Sequence, residues 1–526
     1  MSTYVNPENT AFREAINSKI YVDKSEFISY TNSVLNTKQK NICVSRPRRF
    51  GKSMAADMLI AYYSKGCCSA ELFQGLKAEK TEFYDKHLNQ HNVIRLDIQQ
   101  FLESRQDLEI FIAEIEKAVI EELNELFPDS PCFNSDTRLK TVLNKIFNHT
   151  KEGFIFIIDE WDCVFRLAKE RKDIQKDYLD FLRGLFKGQN YVDLAYMTGI
   201  LPIKKYGDHS AINIFDEYSM ISPKNLGKYF GFTKDEVQEQ CSIHGVDYDE
   251  VEKWYDGYRL GDIHIYNPKS VADVLMWKEF QSYWTGTETY EALKIYIDMN
   301  FDGLKESVIK MLGNGRCAID PTTFQNDMTT FQVKDDLLTL LVHLGYLTYD
   351  KKSGEVFIPN LEISQEFVRA INVSGWGGLV RALEQSKGLL KDTWTMNSKA
   401  VAADISVIHN ETASMLKYND ENSLACVVLT AYYSAKAYYM NPIMELPSGK
   451  GFADIVYLPK RNIDKPALVI ELKWNKSAKG AIAQIRDRKY ADWIQGYTGD
   501  ILLVGIDYNT DTKVHECIIE KCEKDL

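Results

Sequence analysis

Two acidic residues and one lysine near the C-terminal end of the chain have the spacing of a hydrolytic metal site. Asp454 lies within the run Gly-Phe-Ala-Asp-Ile-Val-Tyr, and Glu471 and Lys473 follow the apolar run Ala-Leu-Val-Ile. An unpaired carboxylate on an apolar strand is costly to bury, and a cation between two carboxylates offsets that cost. A hairpin would bring these side chains together. The set suits a divalent cation and an activated water, the layout of a phosphodiester-cleaving site.

In this interpretation Asp454 and Glu471 bind one or two Mg²⁺ ions, with Mn²⁺ as a second candidate metal. Lys473 orients the water or helps to deprotonate it, and balances the developing negative charge. Two separate surface acids on half-exposed strands are the simpler alternative. The ordered set of acid, hairpin, Glu-x-Lys and helix is much rarer by chance than a lone Glu-x-Lys.

Three flanking side chains are candidates for the same site. Glu421, at the N-terminus of the preceding predicted helix, adds a third carboxylate that could bind the metal. It could equally be a first-turn acid that complements the helix dipole. Gln484 and Tyr490 lie six residues apart on the following predicted helix. They face the site or belong to a solvated helix face.

A second group of residues, near the other end of the chain, is typical of a phosphate-binding loop. A predicted strand runs into a loop that ends Gly-Lys-Ser, and a predicted helix follows. Loop amides and the helix N-terminus would face the phosphates, Lys52 would reach the β- and γ-phosphates, and Ser53 would ligate magnesium. Arg46 stands where the usual first glycine is expected, so the loop is stiffer and more cationic. The candidate nucleotide contacts are Arg46, Pro47, Arg48, Arg49, Phe50, Gly51, Lys52, Ser53 and Met54.

A phosphate loop of this kind requires an acid at the end of a hydrophobic strand. The run Phe-Ile-Phe-Ile-Ile ends in Asp159 and Glu160. Asp159 would hold magnesium through water, and Glu160 would polarise the attacking water. A strand edge with solvated charges is the alternative. The two motifs together indicate an ATP site.

Thr198, at the end of a further predicted strand, is a candidate contact to the γ-phosphate or the attacking water. That role requires its strand to lie between the two nucleotide strands, and a capped strand end is an equal alternative. Arg48, Arg49 and Arg166 are candidates for an arginine finger, and the sequence does not choose among them.

The elements that position these residues follow from the hydrophobic pattern. Predicted strands at 41–45, 92–98, 153–159 and 192–198 alternate with predicted helices at 54–63, 105–127 and 174–187, which indicates a parallel sheet. Helices dominate from about 220 to 400. A helix at 423–438, a hairpin at 452–473 and a helix from 479 to 493 follow. We therefore predict an α/β multidomain protein with domains at 1–220, 221–400 and 401–526.

The bulk composition limits the classes of partner. With 526 residues and a net charge of −12, the protein is too acidic to coat DNA, although a local basic groove remains open. The ten cysteines contain no Cys-x-x-Cys pair and are best interpreted as buried free thiols. From the apolar pattern we expect neither a secretory signal segment nor a membrane span. We expect a cytoplasmic protein without membrane contact, and a homo-oligomer stays open.

The chain resembles, over nearly its whole length, a bacterial family of AAA-ATPase-like proteins that end in a PD-(D/E)XK nuclease-superfamily domain. Arg46 looks typical of this family, and Trp161 stands where a Tyr is common. The motifs that carry the resemblance are Tyr21-Val22-Asp23-Lys24, Arg46 to Ser53, Asp159-Glu160-Trp161-Asp162, Met197 to Tyr206, Trp254 to Tyr258, Tyr266-Asn267-Pro268 and the C-terminal set.

The resemblance implies a P-loop NTPase sheet with a helical or winged-helix lid, and an α/β sandwich around a mixed sheet in the last domain. In the nuclease superfamily the matching roles fall on Glu421, Asp454, Glu471, Lys473 and Gln484. The biological role of the family is poorly defined, so the resemblance supplies no substrate.

Three functions compete at this point. The first is an ATP-regulated, magnesium-dependent nuclease that acts on DNA. The second is a signalling ATPase whose C-terminal domain binds nucleic acid or a partner without cleavage. The third is a scaffold whose two sites are both vestigial.

Overall fold

The computed structural model describes residues 2–102, 107–129, 138–203, 212–284, 290–299, 301–325, 331–374, 376–413, 421–448, 451–461, 463–487, 497 and 499–522. The chain divides into two compact units, Met1–Phe280 with Asp320–Gly354, and Gln281–Ile319 with Glu355–Leu526. These boundaries differ from residues 220 and 400, and the three-domain division stays a prediction.

The described strands are β1 Asn41–Ser45, β2 Asn92–Asp97, β3 Phe154–Asp159, β4 Val192–Gly199, β5 Asp216–Tyr218, β6 Phe232–Thr233, β7 Tyr258–Leu260, β8 Ile263–Tyr266, β9 Cys317–Ala318, β10 Thr348–Asp350, β11 Glu355–Phe357, β12 Ile443–Ser448, β13 Gly451–Tyr457, β14 Ala467–Trp474, β15 Ile501–Asn509 and β16 Val514–Lys521.

The described α-helices are α1 Thr10–Ile16, α2 Phe27–Val34, α3 Lys52–Tyr63, α4 Ala70–Phe73, α5 Tyr84–His87, α6 Phe111–Leu126, α7 Leu139–Thr150, α8 Cys163–Leu167, α9 Lys172–Phe186, α10 Lys234–His244, α11 Tyr248–Tyr255, α12 Pro268–Trp277, α13 Tyr290–Asp298, α14 Leu304–Leu312, α15 Lys334–Leu344, α16 Leu361–Val373, α17 Gly377–Trp394, α18 Ser398–Ala413, α19 Glu421–Ala431 and α20 Ala478–Asp487.

The first unit is built on a parallel five-stranded sheet in the order β2-β3-β4-β1-β5. One face packs on α6, α7 and α9, and the other packs on α1, α2 and α3. Strand β3 is buried throughout, as expected for a strand covered on both faces. The parallel sheet predicted from alternating strands and helices is confirmed. A small antiparallel sheet, β6-β8-β7, belongs to the same unit.

The second unit is built on a mixed sheet in the order β12-β13-β14-β15-β16. Strands β14 and β15 run parallel, and the other neighbours pair antiparallel. Helices α17, α18 and α19 cover one face, and α20 covers the other. An α/β domain with a mixed sheet is confirmed. The winged-helix character of the intervening region stays a prediction.

The predicted helix at 423–438 is shorter in the structure than the sequence indicates. Helix α19 ends at Ala431, and a 3-10 turn spans Tyr433–Ala437. The hydroxyl of Tyr432 bonds with that of Thr393 at 2.9 Å, and Ser434 bonds with Ser386. These buried contacts with α17 favour the tighter turn over a continued α-helix.

Candidate nucleotide and metal sites

The phosphate loop leaves the end of β1 and turns into α3 through two residues with left-handed backbone. Arg49 has φ +67° and Gly51 has φ +84°. Glycine adopts this conformation without steric penalty, whereas arginine does not. Helix α3 then begins at Lys52, so its first turn follows the loop directly.

Arg46 is fully buried and holds the end of the strand. Its Nη1 donates to the carbonyl oxygens of Ser45 and Tyr218, both at 2.8 Å, and its guanidinium lies 5.5 Å from the ring centroid of Phe230. Burial lowers the pKa of Arg46 to about 9. The side chain therefore has a packing role, and a phosphate contact by Arg46 stays a prediction.

Phe50 ties the loop to the rest of the first unit. Its ring is fully buried and meets the Tyr258 ring at 5.2 Å between centroids. The Phe50 carbonyl accepts from the Gly231 amide at 3.0 Å. Since the side chain is used for packing, only the main-chain amide of Phe50 remains for a ligand.

A cavity of about 320 Å³ opens beside Gly51. Its wall is mainly apolar and aromatic, which is typical of small-molecule sites. The lining residues include Phe12, Tyr21, Lys24, Met54, Tyr229 and Phe232. The cavity is large enough for part of a nucleotide next to the phosphate loop.

Lys52 is buried, and its Nζ donates to the carbonyl oxygen of Pro47 at 3.0 Å. Burial lowers the pKa of Lys52, and Glu160 and Asp159 oppose that shift by their negative charge. The ammonium group is therefore held between the loop and the acids at the end of β3, where a phosphate chain could replace the carbonyl contact.

Ser53, Asp159 and Glu160 form the predicted acid side of the nucleotide site. Burial raises the pKa of Asp159, and the neighbouring Ser53 hydroxyl opposes that shift. Glu160 follows with φ +50°, and burial raises its pKa while Lys52 and Arg166 lower it. A hydroxyl and a neighbouring carboxylate are the oxygen donors that Mg²⁺ uses beside nucleotide phosphates. Ser53 and Asp159 therefore fit a Mg²⁺ ion.

Thr198 lies on β4, which the structure places between β1 and β3. Its side chain is fully buried, and its hydroxyl oxygen has no hydrogen-bond partner within the described residues. The Thr198 carbonyl accepts from the Trp161 amide at 3.0 Å. The strand position on which the predicted role depends is therefore present, and the γ-phosphate contact itself stays a prediction.

Sequence reasoning missed further charged residues at this edge of the sheet. Asp97 ends β2 in register with Asp159. Burial raises the pKa of Asp57, on α3, to about 6, and Arg95 at 3.9 Å opposes the shift. Asp97 was detectable, since carboxyl ends of parallel strands share one edge of the sheet. Asp57 carried no such signal.

Arg166 and Asp162 connect β3 with the exit of β4. Asp162 is fully buried and accepts from the amides of Ile200 at 3.1 Å and Leu201 at 2.9 Å. The Nε of Arg166 lies 3.4 Å from Asp162 Oδ2, and its Nη2 forms an ion pair with Glu160. Arg166, one of the three arginine-finger candidates, therefore lies against the Glu160 carboxylate.

At the other end of the chain, β13 and β14 form the predicted hairpin. Their ladder pairs Ile455 with Ile470. One step beyond this pair, Asp454 Oδ2 accepts from the Leu472 amide at 2.6 Å. The structure therefore brings the Asp454 carboxylate to the strand that carries Glu471, as the hairpin hypothesis requires.

Glu471 is the centre of the C-terminal site. It is 1% exposed, and its Oε1 accepts from Lys473 Nζ at 2.7 Å and from Gln484 Nε2. Strand β14 supplies the two charged residues, and α20 supplies the amide. Glu471, Lys473 and Gln484 are therefore adjacent in the structure. The Lys473 ammonium and the Gln484 amide offset the cost of burying the Glu471 charge.

Two predicted members of this site are not placed by the structure. Glu421 starts α19 as predicted, but its side chain lies outside the described residues, and so does Tyr490. Among the described residues, no group of three or more His, Cys, Asp or Glu could hold a metal ion. Asp454 and Glu471 supply oxygen donors suited to Mg²⁺. The described side chains therefore provide part of the predicted metal site.

Asp507 is a buried acid at this site that sequence reasoning missed. It lies on β15 in register with Lys473, is 3% exposed, and accepts from the Lys476 amide at 3.0 Å. The acid within the apolar run Ile-Leu-Leu-Val-Gly-Ile was a readable signal. Its role is to hold the end of β14 beside the lysine.

Comparison with known proteins gives one family match in the N-terminal part of the chain and one in the C-terminal part. Residues 10–207 match the family described as "Predicted AAA-ATPase", and residues 419–517 match the PD-(D/E)XK nuclease superfamily. The chain carries an AAA-ATPase-like domain and a PD-(D/E)XK nuclease-superfamily domain. These matches confirm the family resemblance found in the sequence.

A relative from Azotobacter chroococcum mcd 1 is similar over 522 residues, at 23% identity, covering 94% of this chain and 93% of the relative. It is described as an uncharacterized protein in the vnfD 5′ region. The AAA-ATPase-like and PD-(D/E)XK domains support a nucleotide-binding, nuclease-like role and membership of the hydrolases. Within the described parts of the chain, no helix combines the length and the apolar character needed to cross a bilayer.

Proposed function

We propose that the protein binds ATP and is a magnesium-dependent nuclease for DNA whose cleavage is regulated by the nucleotide. The observation that carries the nuclease part is Glu471, which holds Lys473 and Gln484 on one buried carboxylate oxygen. Such an arrangement fixes the lysine beside the metal-binding acids before substrate arrives. A cytoplasmic, bacterial setting belongs to the same proposal, and the described cysteines are free thiols.

In the nucleotide site, Lys52 and the loop amides bind the phosphates, and Ser53 and Asp159 hold Mg²⁺. Glu160 orients the attacking water and accepts its proton. Support comes from the position of the Ser53 hydroxyl beside Asp159 and from the cavity of about 320 Å³ beside Gly51, which is large enough for the base or the ribose.

In the nuclease site, Asp454 and Glu471 hold the divalent cation, with Glu421 as a further ligand. When bound, Mg²⁺ or Mn²⁺ polarises the scissile phosphate and stabilises the leaving oxygen. Lys473 orients the water and helps to remove its proton, and Gln484 keeps the Glu471 carboxylate in place. Asp454 keeps one oxygen on the Leu472 amide, which fixes its direction.

DNA contact is proposed to be local. The net charge of −12 opposes an extended interface, but the exposed Lys476 and Lys479 follow Lys473 in sequence. Lysines beside a cleavage site neutralise backbone phosphates and make binding dependent on salt. Membrane contact is not proposed, and a homo-oligomer stays a prediction.

The test is cleavage of plasmid, linear and single-stranded DNA with Mg²⁺, with and without ATP. Lys473→Ala should abolish cleavage, whereas Lys387→Ala, at an exposed position on α17, should retain most of it. Lys52→Ala should remove the effect of ATP, and the exposed Lys38→Ala should not. Cleavage that survives Lys473→Ala would show that the assigned chemistry is wrong.

A regulatory ATPase with a binding-only C-terminal domain is the second candidate. The observation that favours it is the net charge of −12, which opposes an extended contact with DNA. It predicts ATP binding and DNA retention without phosphodiester products under any metal condition. A chain that neither binds ATP nor cleaves DNA would instead be the vestigial scaffold, and a rise in melting temperature with ATP excludes that case.

A further inference from the structure

The acid predicted to activate water is held by a cation in the structure. Glu160 and Arg166 form an ion pair whose side chains are only 19% and 13% exposed. A carboxylate paired with a guanidinium is a weaker base than a free one. The pair therefore restrains the group on which nucleotide hydrolysis would depend.

Arg166 has a second anchor that does not involve Glu160. Its Nε lies 3.4 Å from Asp162 Oδ2, and Asp162 is fixed by the amides of Ile200 and Leu201. The guanidinium can thus exchange the partner at Nη2 while the ion pair of Nε with Asp162 is retained. The Glu160 backbone has φ +50°, and its amide is held by Asp159 Oδ1 at 2.9 Å, so the exchange requires only the Glu160 side chain to move.

Arg166 also lies close enough to Lys52 for its positive charge to disfavour the charged form of that lysine. Lys52 is the residue expected at the β- and γ-phosphates. A terminal phosphate carries more negative charge than a carboxylate and accepts two parallel bonds from a guanidinium. It would therefore compete with Glu160 for Arg166.

We propose that Arg166 is a positioning residue: it holds Glu160 in an ion pair while the phosphate site is empty, and the γ-phosphate of bound ATP takes over the guanidinium and releases Glu160. This inference rests on the proposed ATP binding. It assigns the discrimination between ATP and ADP to one residue of the first unit.

The test measures Kd for ATP and for ADP with Mg²⁺ by calorimetry on the full chain, so that hydrolysis is not the readout. The variants are Glu160→Gln, Arg166→Met, and the two combined in a double-mutant cycle. Glu160→Gln removes the carboxylate that competes with the phosphate for Arg166. It should lower the Kd for ATP about fivefold relative to the Kd for ADP. Arg166→Met should reduce the preference for ATP, and in its background Glu160→Gln should no longer tighten ATP.

Arg166→Lys keeps the charge and should retain part of the preference, which separates the role of the cation from simple packing. Arg171→Met is the matched control, since Arg171 is 45% exposed and pairs with Glu109 and Asp173. It should leave both Kd values unchanged. Melting temperatures report whether each variant is folded.

Additive effects of Glu160→Gln and Arg166→Met would overturn the inference, because they would show that Glu160 repels the phosphate independently of Arg166. An unchanged preference in Arg166→Met would overturn it as well. Absence of any ATP or ADP binding by the unmodified protein would instead overturn the proposed nucleotide site, and this inference with it.

Discussion

Arg46 shows how a single side chain can support the phosphate loop through its contacts with the main chain. Its buried guanidinium bonds the carbonyl oxygens of Ser45 and Tyr218. Arg46→Met keeps the apolar stem but leaves these buried carbonyls without a donor. We expect a loss of about 2 kcal/mol in the free energy of unfolding of the first unit, measured by chemical denaturation.

Arg48→Met is the matched control for Arg46→Met, because Arg48 is only partly buried. It should change stability by much less. A variant Arg46→Met that unfolds normally but no longer binds ATP would contradict the packing role and support the phosphate contact predicted from the sequence.

At the scale of elements, the end of β4 must pass close to the segment that follows β3. A Cβ on Gly199 would lie 2.4 Å from Asp162 Oδ1 and 2.7 Å from Trp161 Cδ1. Gly199→Ala would therefore push Asp162 away from the Ile200 and Leu201 amides. We expect destabilisation of roughly 2 kcal/mol together with weaker ATP binding, measured by thermal melting and calorimetry.

Gly184 provides the opposite case on helix α9. A Cβ there meets no atom within 4 Å, so Gly184→Ala should stabilise the protein by up to about 1 kcal/mol through helix propensity. Equal melting temperatures for Gly184→Ala and Gly199→Ala would contradict the steric argument.

The sequence predicted β1 to β4 of the first sheet and the β13–β14 hairpin of the second, because these strands are short apolar runs bounded by polar segments. It did not predict β5, β12, β15 or β16. It also located Glu471, Lys473 and Gln484, whose type and spacing follow from strand and helix geometry. It did not predict the ion pair of Glu160 with Arg166 or the half-buried Asp57 beside Arg95. Those depend on side-chain directions and on packing between residues far apart in the chain, which periodicity does not contain.

At the scale of the whole molecule, a buried histidine pair should make stability depend on pH. His515 Nε2 and His409 Nδ1 are 2.9 Å apart, and Ser406 bonds the other nitrogen of His515 at 3.0 Å. Burial, followed by the charge of His409, lowers the pKa of His515 from 6.5 to about 4. Since the unfolded chain binds the proton more readily, stability is full above about pH 6.5 and falls between there and pH 4.

His515→Gln should flatten this dependence, by an amount on the order of 3 kcal/mol at most, in urea unfolding measured from pH 4 to 7. The control His149→Gln changes an exposed residue on α7 and should leave the curve as it is. His91, whose pKa is also lowered to about 4, should maintain a similar dependence in the first unit. A curve for His515→Gln that matches the unmodified protein would contradict the argument.

Because the Leu472 amide donates a hydrogen bond to Asp454 Oδ2, hydrogen exchange at that amide reports how Asp454 coordinates a metal ion. If Asp454 turns both oxygens to a cation, the Leu472 proton loses its acceptor and should exchange faster with deuterium. If only Oδ1 is recruited, Oδ2 keeps the proton and the exchange rate stays slow. Isotope exchange at a single strand amide therefore distinguishes two modes of coordination without any turnover of substrate.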